Sequence, residues 1–485
     1  MFICTNTPEF FNDLSESIRA FFPGEELQMP AEPPQAGTGI LHTLQILNGT
    51  AASTAVLLQD GKRIAQKTAQ VPLGDGALAV KRCRKRSAKL SVFGLLCEHT
   101  GRHLPWGALT GIRPTRLIYE RCGEDPAAVD RELQTVFAVE PAKIRLLRRI
   151  INAQAPFIRP AEDEIDVYIG IPFCATRCVY CSFATLDATK HRLIPDYMEA
   201  LLSEIQSARD LIQRTGRRVR CLYIGGGTPT ALPESDFARL MAACAENLAP
   251  EREFTVEAGR PDTITRAKLE SAKAAGVQRI SINPQSMNPR TLELIGRRHS
   301  PEEIVACFET AHQIGFETIN ADLIAGLPGE NEEVFFDSLA KVIALGPENI
   351  TVHTLSVKKG SRLASGEEAW QLPAEQTVKA MVDGANDVLT RAGFEPYYLY
   401  RQKYQTGNLE NVGYAQAGHV CIYNIDMMEE TTSICALGAG AISKRVFGAE
   451  HRIERAPNCK SIYDYLARRE EMIRRKEKLF AGESE

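Results

Sequence analysis

Between residues 163 and 370, short apolar runs alternate with longer stretches whose apolar residues recur at helical spacing. The runs at 166–171, 220–224, 254–257, 279–282, 318–324 and 349–354 predict strands. The stretches at 195–215, 234–248, 264–275, 301–314 and 332–345 predict the helices between them. A strand-then-helix rhythm predicts a parallel sheet with helices outside it. About six such units make a partial barrel, an α/β fold in which chemistry gathers at the C-terminal ends of the strands.

The flanking regions read differently. Residues 1–160 predict an accessory α+β domain. Apolar runs at 55–58 and 63–71 flank Asp60-Gly61, a hairpin signal, and the Pro/Gly-rich segment 29–37 predicts a surface loop. The run Lys81-Arg-Cys-Arg-Lys-Arg-Ser-Ala-Lys precedes an apolar stretch at 90–96. It predicts the solvated first half of an amphipathic helix or, more sharply, a patch for an anionic substrate or redox partner. Arg113 and Arg116, in Trp106-Gly-Ala-Leu-Thr-Gly-Ile-Arg-Pro-Thr-Arg, fit either a structural turn or a carboxylate clamp. Residues 375–485 predict a smaller mixed C-terminal domain on the substrate side. It opens with a helix at 374–392 and closes with a basic helix at 463–478.

A net charge of −4 argues neither for nor against a particular partner, and nothing suggests a general nucleic-acid binder, whose domains are usually strongly basic. Thirteen scattered cysteines, an odd number, read as reduced thiols rather than a disulfide framework. With no signal-peptide pattern and no run near the ~20 apolar residues of a membrane span, a cytoplasmic protein is expected.

Three of the cysteines change the picture. Cys174, Cys178 and Cys181 lie directly after the first predicted barrel strand, in Gly170-Ile-Pro-Phe-Cys-Ala-Thr-Arg-Cys-Val-Tyr-Cys-Ser-Phe. Their C-x3-C-x2-C spacing has no nearby fourth cysteine or histidine to close a structural zinc site. Three thiolates on one loop suit a [4Fe–4S] cluster with one iron left open. The run resembles the signature of the radical SAM superfamily, which implies S-adenosylmethionine (SAM) as ligand of the open iron. Gly225-Gly-Gly-Thr-Pro-Thr follows the second strand, and its glycines permit close backbone approach to a ligand. By the same resemblance, Gly226, Gly227 and Thr228 receive the methionine amino group of SAM.

Polar residues at later strand ends sharpen the likeness: Glu257 in Thr-Val-Glu-Ala-Gly-Arg-Pro, Gln285 in Ser-Ile-Asn-Pro-Gln-Ser, Arg297 in Leu-Ile-Gly-Arg-Arg-His, and Asp322 in Asn-Ala-Asp-Leu-Ile-Ala-Gly-Leu-Pro-Gly. Over residues 165–445 the order is similar to the oxygen-independent coproporphyrinogen III oxidase family and its heme-chaperone-like relatives. With Leu109-Thr-Gly-Ile-Arg-Pro-Thr-Arg and Tyr397-Tyr-Leu-Tyr-Arg-Gln-Lys, the chain looks closest to the branch called coproporphyrinogen dehydrogenase in Gram-positive bacteria.

The resemblance implies that Tyr168 and Tyr180 flank SAM, that Glu257, Gln285 and Arg297 meet its polar groups, and that Asp322 meets the ribose; Tyr168 and Glu257 are the implied catalytic residues. It further implies a tetrapyrrole substrate, an electron donor such as flavodoxin or ferredoxin, and oxidative decarboxylation of coproporphyrinogen III propionates to vinyl groups. Arg401, Lys403, Arg113 and Lys444 are the candidate cations for those propionates. The chain also departs from the family pattern. Gly170 replaces a histidine, Phe183 replaces a fourth cysteine as in the chaperone-like branch, Tyr398-Leu-Tyr-Arg-Gln-Lys replaces a Glu-x-Ser-Asn-Phe segment, and Tyr423-Asn424 replaces a His-Asn pair. Two other readings stay open: a heme-delivery protein that keeps the cluster, with His353 or His419 as axial ligand, and a radical SAM enzyme acting on another tetrapyrrole.

Overall fold

A computed structural model describes every residue except 110, 112, 184, 189–191, 367–368, 403–404, 449–451 and 482–485. The chain forms two compact units, Met1–Arg148 with Gly407–Leu409, and Arg149–Thr406 with Glu410–Glu485. The first unit ends inside the helix Pro141–Gln154.

The first unit is built on a sheet of β1 (Phe2–Thr5), β2 (Thr38–Leu47), β3 (Thr50–Gln59) and β4 (Lys62–Pro72), in that order. β1 runs parallel to β2 and the other pairs are antiparallel. Asp60-Gly61 makes the expected tight turn, with φ of 48° and 73°. Asn48-Gly49, with φ of 49° and 73°, makes a second hairpin that the apolar runs alone did not reveal. A strand residue paired with Gly needs both φ values positive in a two-residue hairpin, which Asn and Asp tolerate best. The helix Ala77–Thr100 covers β3 and β4. Its second half buries Ser87, Ala88, Ser91, Val92, Phe93, Leu95 and Leu96, and its first half is exposed or half-buried.

The second unit holds the barrel. Six strands, β5 (Glu164–Ile171), β8 (Arg218–Gly226), β9 (Glu253–Gly259), β10 (Arg279–Ile282), β11 (Thr318–Ala325) and β12 (Asn349–Thr354), run parallel in chain order. Between β5 and β8 lies a small pair, β6 (Phe173–Cys174) with β7 (Leu186–Asp187). The helices Ile194–Arg214, Glu234–Asn247, Arg266–Ala274, Pro301–Ile314 and Glu332–Ala344 connect the six strands, close to the expected bounds. Among the described residues no pairing closes the sheet on itself.

Residues 375–485 extend that same sheet at both ends. β13 (Glu395–Tyr400) and β14 (Asn411–Ala415) add antiparallel strands beyond β12. β15 (Ser433–Leu437) lies parallel beside β5 and carries β16 (Ile442–Phe447) and β17 (Arg452–Pro457). The basic helix expected at 463–478 is two helices, Ile462–Ala467 and Arg469–Ala481, broken at Arg468 with φ −117° and ψ 22°.

Buried charge ties this extension to the barrel. Glu204, on the helix Ile194–Arg214, accepts hydrogen bonds from Lys476 Nζ at 2.6 Å, Tyr465 Oη at 2.6 Å, Gly438 N at 2.8 Å and Asn458 Nδ2 at 2.9 Å. Lys476 also donates to Asn458 Oδ1 at 2.8 Å, so both charges are fully partnered inside the protein. The helix Ile422–Glu429 packs at the end of the barrel where the strands begin. Glu253 receives its first amides, Ile422 N at 3.1 Å and Tyr423 N at 3.4 Å, and pairs with Arg279. Arg220 grips Asp426 at 2.8 Å and Glu164 at 2.9 Å.

Removing one partner of a buried pair leaves an uncompensated charge. Lys476→Met is therefore expected to lose about 3 kcal/mol of stability. Glu204→Gln with Lys476→Met should recover part of it, as chemical denaturation of both variants would report.

Candidate active site

The site is assembled at the C-terminal ends of the strands. β5 leads into the cysteine loop, which is pinned on both sides. Phe173 is fully buried, edge-on to Tyr197 at 5.3 Å. Val179 exchanges backbone bonds of 3.1 Å with Ile295 and Leu363. Thr176 Oγ1 donates to Gly296 O at 3.1 Å, and Arg177 Nη2 to Gly360 O at 2.6 Å.

The glycine strip lies against this loop. Gly227 N donates to Ile171 O and Thr228 N to Phe173 O, both at 2.7 Å. A Cβ on Gly227 would stand 2.4 Å from Phe173 O, and Gly226 adopts φ +108°. Only glycine fits a backbone so close to its neighbour. Thr228 Oγ1 reaches Cys174 Sγ at 3.6 Å and Arg260 Nη1 reaches Cys178 Sγ at 3.7 Å. Burial raises the Cys174 and Cys181 thiols above their ordinary value.

One cavity of about 350 Å³ is lined by Cys174, Cys178, Cys181, Tyr180, Gly226, Gly227, Thr228, Glu257, Gln285, Arg297 and Asp322. These eleven positions, spread over a span of 149 residues, thus face one space. Tyr168 is not among the lining residues. Its ring stacks with Tyr223 and Tyr423, at 6.3 Å from each, and its hydroxyl lies behind the glycine strip.

Glu257 accepts a hydrogen bond from Tyr223 Oη at 2.5 Å. Burial, reinforced by the nearby Asp322 charge and opposed by that bond, pushes its carboxyl up to about 7. Asp322 goes the other way. Burial disfavours its charge, yet His353, with Nε2 at 3.4 Å, and bonds from Asn320 and Thr351 hold it below the ordinary carboxylate value. His353 Nδ1 meets Tyr400 Oη at 3.3 Å. Gln285 has a left-handed backbone, φ +69°, held by Gln285 N on Asp322 O at 2.8 Å and Ile324 N on Gln285 O at 3.1 Å. A non-glycine residue kept there points to a functional constraint.

Of the expected propionate cations, none among the described residues lines this cavity. Arg401 is buried, which pulls its guanidinium down to about 10. Lys444 is buried with Nζ 3.1 Å from Met427 Sδ. Arg113 belongs to the first unit, and Lys403 lies outside the described residues. The cavity instead presents Arg177, Arg260, Arg297 and Lys358. Arg260 stands in the Thr-Val-Glu-Ala-Gly-Arg-Pro run, and its place at a strand end marks it in the sequence. Lys358 follows β12 in a loop that carries no motif. His353 lines the cavity, whereas His419 bonds Thr318 Oγ1 at 2.8 Å near the strand starts.

The residues fit a cluster and SAM on three grounds. Three thiols share one pinned loop, a glycine cradle stands against it, and Arg297 Nε is buried without a hydrogen-bond partner in the same cavity. Its guanidinium otherwise donates to Asn283 O at 2.5 Å and Tyr180 Oη at 3.4 Å.

Comparison with known proteins agrees. A family profile described as the radical SAM superfamily matches residues 168–342. The chain is 38% identical over 393 residues to the oxygen-independent coproporphyrinogen-III oxidase-like protein HemZ of Bacillus subtilis (strain 168), covering 79% of this chain and 78% of that protein. It is 29% identical over 285 residues to the heme chaperone HemW of Escherichia coli (strain K12), covering 58% of this chain and 71% of that protein. The solved structure of coproporphyrinogen III oxidase (HemN) from Escherichia coli, described as a radical SAM enzyme, shares the fold with a TM-score of 0.52 at 24% identity, over 67% of this chain and 72% of that one. A radical SAM family implies a [4Fe–4S] cluster and SAM, and no helix of the described residues is long and apolar enough to cross a membrane. The chain belongs to the oxygen-independent coproporphyrinogen-III oxidase-like family of the radical SAM superfamily.

Proposed function

We propose that this protein oxidatively decarboxylates the propionates of coproporphyrinogen III, without oxygen, to the vinyl groups of protoporphyrinogen IX. The observation that carries the reading is one cavity in which the cluster loop and the cations Arg177, Arg297 and Lys358 face the same space. The name of the HemZ relative, alike over most of both chains, supports this choice of tetrapyrrole.

Cys174, Cys178 and Cys181 would hold the cluster. Bound together, cluster and SAM supply on one-electron reduction a carbon-centred radical that removes hydrogen from a substrate C–H. Per propionate, the substrate gives up that hydrogen atom to the radical, CO2 to solution and one electron to an external one-electron acceptor, which leaves a vinyl group. The protein's part is positioning and exclusion of water. Glu257, ionised above pH 7, accepts from the SAM amino group, and Tyr223 fixes the rotamer of that carboxyl. Asp322, kept ionised, accepts from the ribose hydroxyls. Asn283 and Tyr180 aim Arg297 at a carboxylate. Arg177 and Lys358 orient propionates at the cavity edge.

A heme-carrying role is the second reading. Phe183, 64% exposed beside the third cysteine, and the cavity-lining His353 favour it, as do the HemW relatives. Anaerobic incubation of reconstituted protein with SAM, a reductant and coproporphyrinogen III separates the two. Stepwise loss of two CO2 with release of 5′-deoxyadenosine is expected by mass spectrometry, and Cys178→Ala should abolish both. Tight heme uptake with unchanged coproporphyrinogen would instead establish the carrier.

Two further outcomes follow from the geometry. Below pH 7 the Glu257 carboxyl is protonated, so SAM affinity should rise as pH increases from about 6 to 8. Equilibrium dialysis of Glu257→Gln should show weaker binding that is flat over this range. Gly227→Ala should keep its far-UV circular dichroism yet bind SAM about tenfold more weakly, since the new methyl displaces the Phe173 carbonyl.

A further inference from the structure

We infer that a groove in the first unit, beside the basic half of the helix Ala77–Thr100, binds a planar apolar polycarboxylate: a second tetrapyrrole site, distinct from the barrel cavity. Naming a tetrapyrrole rests on the function proposed above. The ligand chemistry itself, an apolar face with carboxylates at its edge, comes from the groove.

The groove has a volume of about 440 Å³. Small-molecule sites run from ~300 to ~1,000 Å³. Its floor is apolar, formed by Leu90, Ala108, Leu109 and Phe137, and Leu78 stands at its edge 65% exposed. A merely solvated helix face would carry polar residues there, so the apolar floor is what that simpler reading leaves unexplained. The rim is cationic, with Lys81, Arg82, Lys85, Arg86 and Lys89. No acidic residue lines the groove among the described residues.

Three rim cations are steadied from outside it. Lys85 pairs with Asp13 at 3.1 Å, Arg86 with Glu132 at 3.5 Å and Arg82 with Glu120 at 3.8 Å. Pairs this exposed are weak, so a ligand carboxylate can compete for the same cations. A carboxylate edge can then meet guanidinium and ammonium groups while the ring lies on the leucines.

A nucleic acid fits less well. Single strands are bound on open aromatic faces. The one aromatic ring here, Phe137, is buried under Arg86, whose guanidinium lies 5.1 Å from the ring centroid. The cations also sit within nine residues of one helix, which suits a compact ligand better than a long polyanion.

The test uses full-length protein carrying Cys178→Ala, so that the barrel site lacks its cluster, titrated with coproporphyrin III, a stable fluorescent tetracarboxylate. One equivalent should bind at this groove, in addition to any held by the barrel cavity, whose cations the substitution leaves in place. Lys81→Glu with Arg82→Glu, and separately Leu78→Asp, should each weaken binding about tenfold with unchanged far-UV circular dichroism. Copied into the otherwise unaltered protein, they should leave iron content unchanged. Equal binding by all variants would overturn the site. So would displacement of the porphyrin by single-stranded RNA together with indifference to Leu78→Asp, which would mark a phosphate-binding surface. Failure of coproporphyrinogen turnover in the cluster-loaded enzyme would overturn the proposed reaction and leave this binding result standing.

Discussion

The site rests on a column of aromatic rings that begins at the far end of the barrel. The helix Ile422–Glu429 lies where the strands start, and it sends Tyr423 inward against Tyr223, with ring centroids 4.5 Å apart. Tyr168 stacks on both. Tyr223 in turn hydrogen-bonds Glu257, and the Tyr168 hydroxyl lies close to Gly226. Shift the helix and the carboxylate and the glycine strip lose their backing together. Its placement depends on charges buried at 0–7% exposure, Arg220 with Asp426 and Glu253 with Arg279. Such pairs are costly to bury, and breaking one costs more than it contributes when intact. Their geometry therefore selects one register for the helix.

Two departures from the family pattern lie against the same column. Tyr423 stands where the family has a histidine, and here it is a packing ring. At Gly170 a Cβ would come within 3.3 Å of the Tyr168 ring, so a larger side chain would press on the column. Phe183 is different. It lines the cavity, is exposed and packs in no core.

Electrostatics divide the cavity into two sides. Glu257 is held near neutrality by burial, while Asp322 is kept ionised by His353 and its hydrogen bonds. Environments that push two carboxyls apart give them separate tasks. The first can change protonation near neutral pH; the second is a fixed acceptor. Between them, the strained backbone of Gln285 is locked by bonds to β11, which ties the loop after β10 to the strand carrying Asp322.

Local pattern alone determined much of this protein. The strand and helix alternation was legible because parallel strands buried on both faces are apolar runs and their helices are amphipathic. Asp60-Gly61 declared its hairpin, and the cysteine spacing declared its cluster, because both are chemistries of adjacent residues. The strand-end motifs carrying Glu257, Gln285, Arg297 and Asp322 were readable because the fold places all strand ends on one face. Only the tertiary structure decided what depends on long-range meeting. It stacked Tyr168 against Tyr223 and Tyr423, and it buried Arg401 and Lys444. It brought Arg177, Arg260 and Lys358 to the cavity in place of the expected cations. It also joined residues 375–485 to the barrel sheet, through pairings and buried ion pairs between positions up to 272 residues apart. Side-chain direction and burial arise from packing against distant segments, and no window of sequence records them.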